Sequence, residues 1–294
     1  MNLTREERNS FLFYQGMVQY VSLEPSQEYL SEFYNIENGY EVLDLLLFPG
    51  LDSENVRLWI EQRSIDPMVL DHMEELLRIY CNLFSAMCRY TFLKSSHDIM
   101  RLYRKDRMLS WENLKDGMVN AFFSTSQKPR ISPFFTRKKY RILLEEVFAS
   151  EEIVHIKVND ILGWRHLYAS EEEVLFPPFL KVSCADLELT DEEKALRDCH
   201  NHEPVKKCCI NIDGIALDEK YNDEKQKTLY NWILELSHIE NAKLVWSKIH
   251  SNTDLLLEEA QDYIMWKEWI GSYVKAEYGR IFREMRDVAQ VTRK

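Results

Sequence analysis

Apolar residues recur at helical spacing in two outer stretches of the chain and form short strand-like runs between them. Met68 to Phe92 places apolar side chains every three or four residues, the period of one buried helix face. Val56 to Gln62 follows the cap signal Asp52-Ser53, with Pro49 and Gly50 punctuating the approach. Toward the other end, Leu229 to Leu236 forms an apolar face, and Asp254 to Val288 reads as one or two long amphipathic helices. The middle differs. Its β-branched and aromatic runs are Ile99–Arg104, Ala121–Ser126, Ile153–Val158, Glu173–Phe176, Leu180–Cys184 and Cys208–Ile212, separated by turn residues. Strands not alternated with long helices predict an α+β fold with antiparallel or mixed pairing. The pattern divides the chain into a helical region over 1–97, a strand-rich core over 98–220 and a helical region over 221–294, without internal repeats or low-complexity segments.

Composition narrows the function. With 294 residues, 45% of them hydrophobic, the chain can bury one large core or two modest ones. A net charge of -12 argues against a nucleic-acid partner, which requires a basic footprint. No apolar run approaches the roughly 18 residues of a membrane helix, so no membrane partner is expected. Met1 to Arg8 carries acids and bases where a secretory signal would be apolar, and Val291 to Lys294 is no lipidation signal. Six cysteines are too few for a disulfide framework in a chain this long, and a reducing cytosol is the expected site of action. With eight glycines there is no dinucleotide fingerprint of the Rossmann kind, no phosphate-binding loop and no Gly-x-Ser-x-Gly elbow.

Glu171-Glu172-Glu173-Val174-Leu175-Phe176-Pro177-Pro178 is the most informative segment. Acids are depleted in strands, and a buried carboxylate needs a partner. Strand period two puts Glu171 and Glu173 on one face and Glu172 on the other. Two carboxylates on one face suit acid–base work or stabilisation of a cationic transition state. Taken alone, the segment is more simply a solvated turn leading into a strand. Two further pieces lie upstream in strand-like runs: Phe122-Phe123-Ser124-Thr125-Ser126 and Leu102-Tyr103-Arg104.

Together, in this order and at comparable separations, the three resemble the Tyr-Arg, Ser-Thr-Ser and Glu-x-Glu motifs of the arginine-specific mono-ADP-ribosyltransferases, the arginine–serine–glutamate class. The resemblance covers residues 98 to about 215. It departs at Lys105, where that family often has Gly. It implies a mixed, split β core that binds NAD in its cleft, flanked by helical regions, and transfer of ADP-ribose from NAD to an arginine of a target protein with release of nicotinamide. By the same resemblance, Glu173 would hydrogen-bond the ribose 2′-hydroxyl and stabilise the oxocarbenium-like transition state, as carboxylates do at glycosidic centres. Glu171 would orient the acceptor guanidinium and take its proton. Ser124 would hold Glu173, and Arg104 would clamp the NAD phosphate and ribose. Tyr103 and Thr125 complete the implied NAD-binding set. No metal is implied. The expected setting is a bacterial effector-type toxin, delivered without a cleaved signal and acting on a host protein. A NAD glycohydrolase and a non-catalytic interaction module on the same fold are the rival readings.

Neighbouring segments fit this scheme. Asn159 to Ser170 would form the turn that reads the target protein, with Trp164, His166 and Tyr168 as candidate contacts or, for Trp164, a core residue. The basic residues Lys128, Arg130, Arg137, Lys138, Lys139 and Arg141 have no acid among them from Asp116 to Glu145. They would steer the NAD pyrophosphate or an acidic partner, or else Arg137 to Phe148 is a helix with a basic face, the preferred reading. Phe134 and Phe135 would wall the nicotinamide or enter the core. Cys199-His200-Asn201-His202 with Cys208-Cys209 matches no zinc spacing and reads as a loop followed by buried thiols. The helical regions would either cap the sheet and bury its apolar faces, the preferred reading, or form a surface that docks the target, with Trp266 and Trp269 exposed on it.

Overall fold

The β-branched runs of the central chain pair into one mixed sheet. In the computed structural model the described residues are 3–17, 39–40, 42–43, 67–94, 97–107, 117–129, 142–163, 169–195, 204–218, 220–250 and 256–292. The chain divides into two units, Met87–Ala216 and Asn2–Ala86 with Leu217–Lys294. The first contains strands β1 (Ile99–Arg107), β2 (Met118–Val119), β3 (Phe123–Ser126), β4 (Ile142–Ser150), β5 (Ile156–Lys157), β6 (Glu173–Phe176), β7 (Leu180–Leu187) and β8 (Pro204–Ile215). Their order across the sheet is β2-β7-β8-β4-β1-β3-β6-β5. The β4–β8 pair is parallel and the remaining pairs are antiparallel, so the fold is α+β with a mixed sheet.

The sheet narrows between β1 and β3. Along β1, every residue from Ile99 to Arg107 has a partner on β4, whereas β1 and β3 share the single pair Tyr103↔Ser126 among the described residues. A wide part, β2-β7-β8-β4-β1, therefore meets a small part, β3-β6-β5, at one point. One face carries the apolar cluster of Met100, Leu102, Phe123, Val147, Val174 and Phe176, among others. Full burial of Phe123 and Phe176 contributes about 1.5–3 kcal/mol each.

Two expectations are corrected. The stretch to Phe148 is not helical: Ile142–Ser150 is strand β4, between β1 and β8 in the middle of the sheet. Leu143, Val147 and Ala149 alternate onto the core face, and Glu145-Glu146 interrupts the apolar run that would have shown it. Pairing along both edges overrides the local preference. Ile153–Val158 is not one strand either, because only Ile156–Lys157 pairs, with β6. Ile153 N–H closes a turn on Ser150 O at 3.0 Å. The His155 backbone is taken by a side chain: its N–H donates to Thr91 Oγ1 at 3.0 Å, and its carbonyl accepts from the same hydroxyl at 3.1 Å. Val158 then opens a short helix.

The second unit is helical. Helix α1 (Arg5–Tyr14) starts in a reciprocal cap between Thr4 and Glu7. A 3-10 turn over Pro67–His72 leads into α2 (Met73–Leu93), and the division between units falls within α2, after Ala86. The first unit also holds the short helices α3 (Val158–Leu162) and α4 (Asp191–Lys194). Helices α5 (Asp223–Ser237), α6 (Glu240–His250) and α7 (Leu257–Thr292) return to the second unit. Along α7, Trp266, Ile270, Val274 and Tyr278 follow at every fourth position and are buried. The Tyr278 ring stacks on Phe84 with centroids 3.9 Å apart. Trp266 is thus a core residue and not the exposed contact that the docking alternative required. Trp269 lies off that stripe, half-buried, against the exposed Trp232 at 5.2 Å. Val56 to Gln62 lies outside the described residues. No described helix is long and apolar enough to cross a membrane.

Candidate active site

Pairing of β3 with β6 builds the centre of the site. Ser124↔Leu175 and Ser126↔Glu173 are opposite pairs, and opposite residues of an antiparallel ladder share a face. Ser124, Ser126 and Glu173 therefore lie together, while Phe123, Val174 and Phe176 turn to the apolar cluster. Across the diagonal, Ser124 Oγ donates to Glu173 Oε1 at 2.6 Å. Glu173 is buried, at 8% exposure. A hydrogen bond to a charged carboxylate is short and roughly twice as strong as a neutral one. Thr125 faces the other way and donates to Val174 O at 2.8 Å, bracing the ladder.

Glu171 stands beside this pair for a reason other than strand period. It closes a 3-10 turn, Ala169–Glu171, and β6 starts only at Glu173. Between them Glu172 has φ 47°, in the left-handed region. The kink brings the two carboxylates near one another: burial, and then the Glu173 charge, push the Glu171 carboxyl up to about 7.

Arg104 is placed differently. On β1 it is paired with Glu145, and Nη1 donates to Glu145 Oε2 at 3.2 Å. The Glu145 side chain is fully buried and that of Arg104 is 26% exposed. The guanidinium also lies over the Phe123 ring, 4.7 Å from its centroid. By strand alternation Arg104 shares the face of Met100 and Leu102, while Tyr103 is opposite Ser126 and shares the face of Ser124 and Glu173. Ser124, Glu173 and Glu171 are thus brought together, with Tyr103 on their face, whereas Arg104 is on the opposite face, over Phe123 and against Glu145. At Lys105 the chain continues as regular strand, so the side chain in place of Gly distorts nothing locally.

Two residues without a motif complete the setting. Glu145 is the buried counter-charge of Arg104; its only sequence signal is an acid within an apolar strand. Asn159, on α3, donates from Nδ2 to Ala169 O at 2.9 Å and ties the start of the acidic turn to that helix. In turn α3 is anchored to the end of α2, where Tyr90 Oη and Lys94 Nζ donate to Asp160 Oδ2 at 2.5 and 2.6 Å. Trp164, His166, Tyr168, Phe134, Phe135, Arg130, Arg137, Lys138, Lys139 and Arg141 lie outside the described residues. So do Cys199, His200 and His202. Cys208 is buried and Cys209 half-buried, both as free thiols on alternate faces of β8. Among the described residues no three His, Cys, Asp or Glu side chains are grouped to hold a metal.

No protein-family model matches the chain, and no curated protein matches it. Solved structures do align. The ADP-ribosyltransferase Vis in complex with agmatine does so with TM-score 0.31 and 16% identity, over 72% of this chain and 86% of that one. The Vis toxin of Vibrio splendidus gives 0.32 and 15%, over 72% and 83%. The enzymatic component C2-I of the Clostridium botulinum C2-toxin gives 0.30 and 12%, over 59% and 42%. Likenesses at these scores carry no argument of their own.

Proposed function

We propose that this chain is a mono-ADP-ribosyltransferase that moves ADP-ribose from NAD to an arginine side chain of a target protein. The observation that carries the reading is the Ser124-held Glu173 with a second carboxylate, Glu171, beside it and titrating near neutrality. Supporting it are the three sequence motifs set out above. In this reading the bond between nicotinamide and the ribose C1′ breaks, and nicotinamide leaves with the bonding electron pair. Glu173 stabilises the positive charge left on the ribose, and a guanidinium nitrogen attacks C1′. The proton released by that nitrogen goes to Glu171. A base works best with a pKa near the operating pH, and a carboxylate meets a guanidinium through two parallel hydrogen bonds. By the motif resemblance, Arg104 and Tyr103, neighbours on β1, hold the NAD phosphate and ribose. The proposed setting is that of a bacterial effector-type toxin acting on a host protein in the cytosol.

The test is incubation of the full chain with NAD labelled in the adenosine half, with and without a small guanidine such as agmatine. Label transferred to the guanidine, with one nicotinamide released per transfer, is the expected result. Nicotinamide release that no guanidine diverts would make the protein a NAD glycohydrolase. No release at all would leave it a binding module on this fold and refute the reading.

A further inference from the structure

The turn that presents Glu171 is tied down at every residue. Ala169 O accepts from Asn159 Nδ2 at 2.9 Å, and Ser170 O accepts from Lys128 Nζ at 3.2 Å. The Glu171 carbonyl accepts from the Ser126 hydroxyl, and Glu172 O accepts from the Gln127 amide at 3.2 Å. Such clamping accompanies a strained backbone: Glu172, at φ 47°, is a side-chain-bearing residue in the left-handed region. That conformation costs about 1–2 kcal/mol and persists where the surroundings over-determine it. The Glu172 side chain has a task apart from the two site carboxylates. Its Oε1 meets Lys128 Nζ at 2.9 Å. One ammonium therefore grips the two residues that flank Glu171, Ser170 by its carbonyl and Glu172 by its carboxylate. Lys128 also follows directly on β3, the strand whose Ser124 holds Glu173, and its own amide donates to Ser126 Oγ at 3.0 Å. Lys128 is nearly half exposed, so its ion pair adds little to stability, about 0–1 kcal/mol. Its consequence is geometric.

We propose that Lys128 and Glu172 form a strut that positions Glu171 for the acceptor and thereby sets the partition between transfer to a guanidine and hydrolysis by water. This rests on the activity proposed above. Neither residue touches the reacting atoms; both are positioning residues. A guanidinium has to meet a carboxylate in one fixed orientation, and a misplacement of about 1 Å is enough to cost on the order of 100-fold in rate. Water imposes no such demand. Glu173, seated in β6 and held from β3, does not depend on the strut.

The test compares the wild-type chain with Lys128→Met, Glu172→Gln, the double variant and Lys128→Arg, using NAD with and without agmatine. Each single removal is expected to lower transfer about tenfold or more. Acceptor-free nicotinamide release and the KM for NAD should stay within about twofold. Because the two residues share one contact, the double variant should be no worse than the weaker single, and Lys128→Arg should recover most of the transfer. The pH midpoint of transfer should not move, since burial and Glu173, not Lys128, raise the Glu171 carboxyl. Equal loss of transfer and release, a raised KM for NAD (the mark of Lys128 steering the pyrophosphate), additive effects or no effect would each overturn the strut. A wild-type chain that yields neither product refutes the activity itself, and the strut's role with it; an active wild type with an unmoved partition refutes the strut alone.

Discussion

Replacing Glu171 by Gln sets stability against activity in a way that depends on pH. The folded protein holds the Glu171 proton to about pH 7, against an ordinary value of 4.5, because the carboxyl is partly buried and faces Glu173. A rise of that size is worth about 3 kcal/mol before screening, and about 1–2 kcal/mol for a side chain that keeps part of its surface in water. The sign follows from proton linkage. A carboxyl that binds its proton more tightly in the folded state contributes stability below the unfolded value of 4.5, and that contribution is lost as pH rises through 7. An uncharged Gln loses nothing over the same range. Glu171→Gln should therefore match the wild type near pH 4.5 and exceed it at pH 8 by about 1–2 kcal/mol, or several degrees in Tm. On the same samples, transfer to agmatine should be abolished while acceptor-free nicotinamide release survives. Thermal unfolding followed at both pH values, beside the two product assays, measures all of this. A variant less stable than the wild type at pH 8, or equally stabilised at both pH values, would show that no buried repulsion exists at this position. Equal loss of both products would show that the two acids are not divided between acceptor and NAD.

Four further outcomes are expected. Glu173→Gln should reduce both transfer and nicotinamide release by about 100- to 1,000-fold with the fold intact; near-wild-type turnover would remove Glu173 from the mechanism. Arg104→Lys keeps the charge but loses the planar fork that covers Phe123 and reaches Glu145, so calorimetric titration should show NAD bound about tenfold more weakly, and unchanged affinity would assign the phosphate to another cation. His155 is buried, with Nδ1 on Ile153 O at 2.8 Å and no hydrogen-bond partner for Nε2 among the described residues, and burial pushes its pKa down to about 4. A histidine held below its unfolded value of 6.5 gives stability that is present above 6.5 and lost as pH falls toward 4. His155→Phe should thus flatten the acid side of the stability profile by up to about 3 kcal/mol, and an unaltered profile would refute this. Removing residues from about 252 onward takes away Trp266, Ile270, Val274 and Tyr278 and should unfold the helical unit, as read by loss of its cooperative transition in circular dichroism; a truncated chain that keeps that transition would make α7 dispensable to the core.

Sequence by itself determined the local elements and the chemistry-bearing residue types. The strand runs at Ile99, Phe123, Glu173, Leu180 and Cys208 and the helical period of Met68 to Phe92 are written in side chains close together in the chain, where β-branching and apolar spacing act directly on the backbone. The motif residues Ser124, Glu171 and Glu173 were equally legible. Tertiary structure decided the rest, because pairing and charge balance depend on partners far away in sequence. Strand β4 was hidden by Glu145-Glu146 until its neighbours β1 and β8 supplied both edges, and Glu145 acquired a reason to be buried only when Arg104 lay across from it. His155 left the strand pattern because a threonine hydroxyl 64 residues away took its backbone groups. Trp266 and Trp269, three residues apart, met different fates because a single helical stripe faces the core. At the site, alternation placed Glu171 and Glu173 on one face, whereas the fold joins them through a 3-10 turn and a left-handed Glu172 held by Lys128. A backbone angle that the local sequence disfavours is stable only when distant contacts hold it, and those contacts exist only in the folded chain.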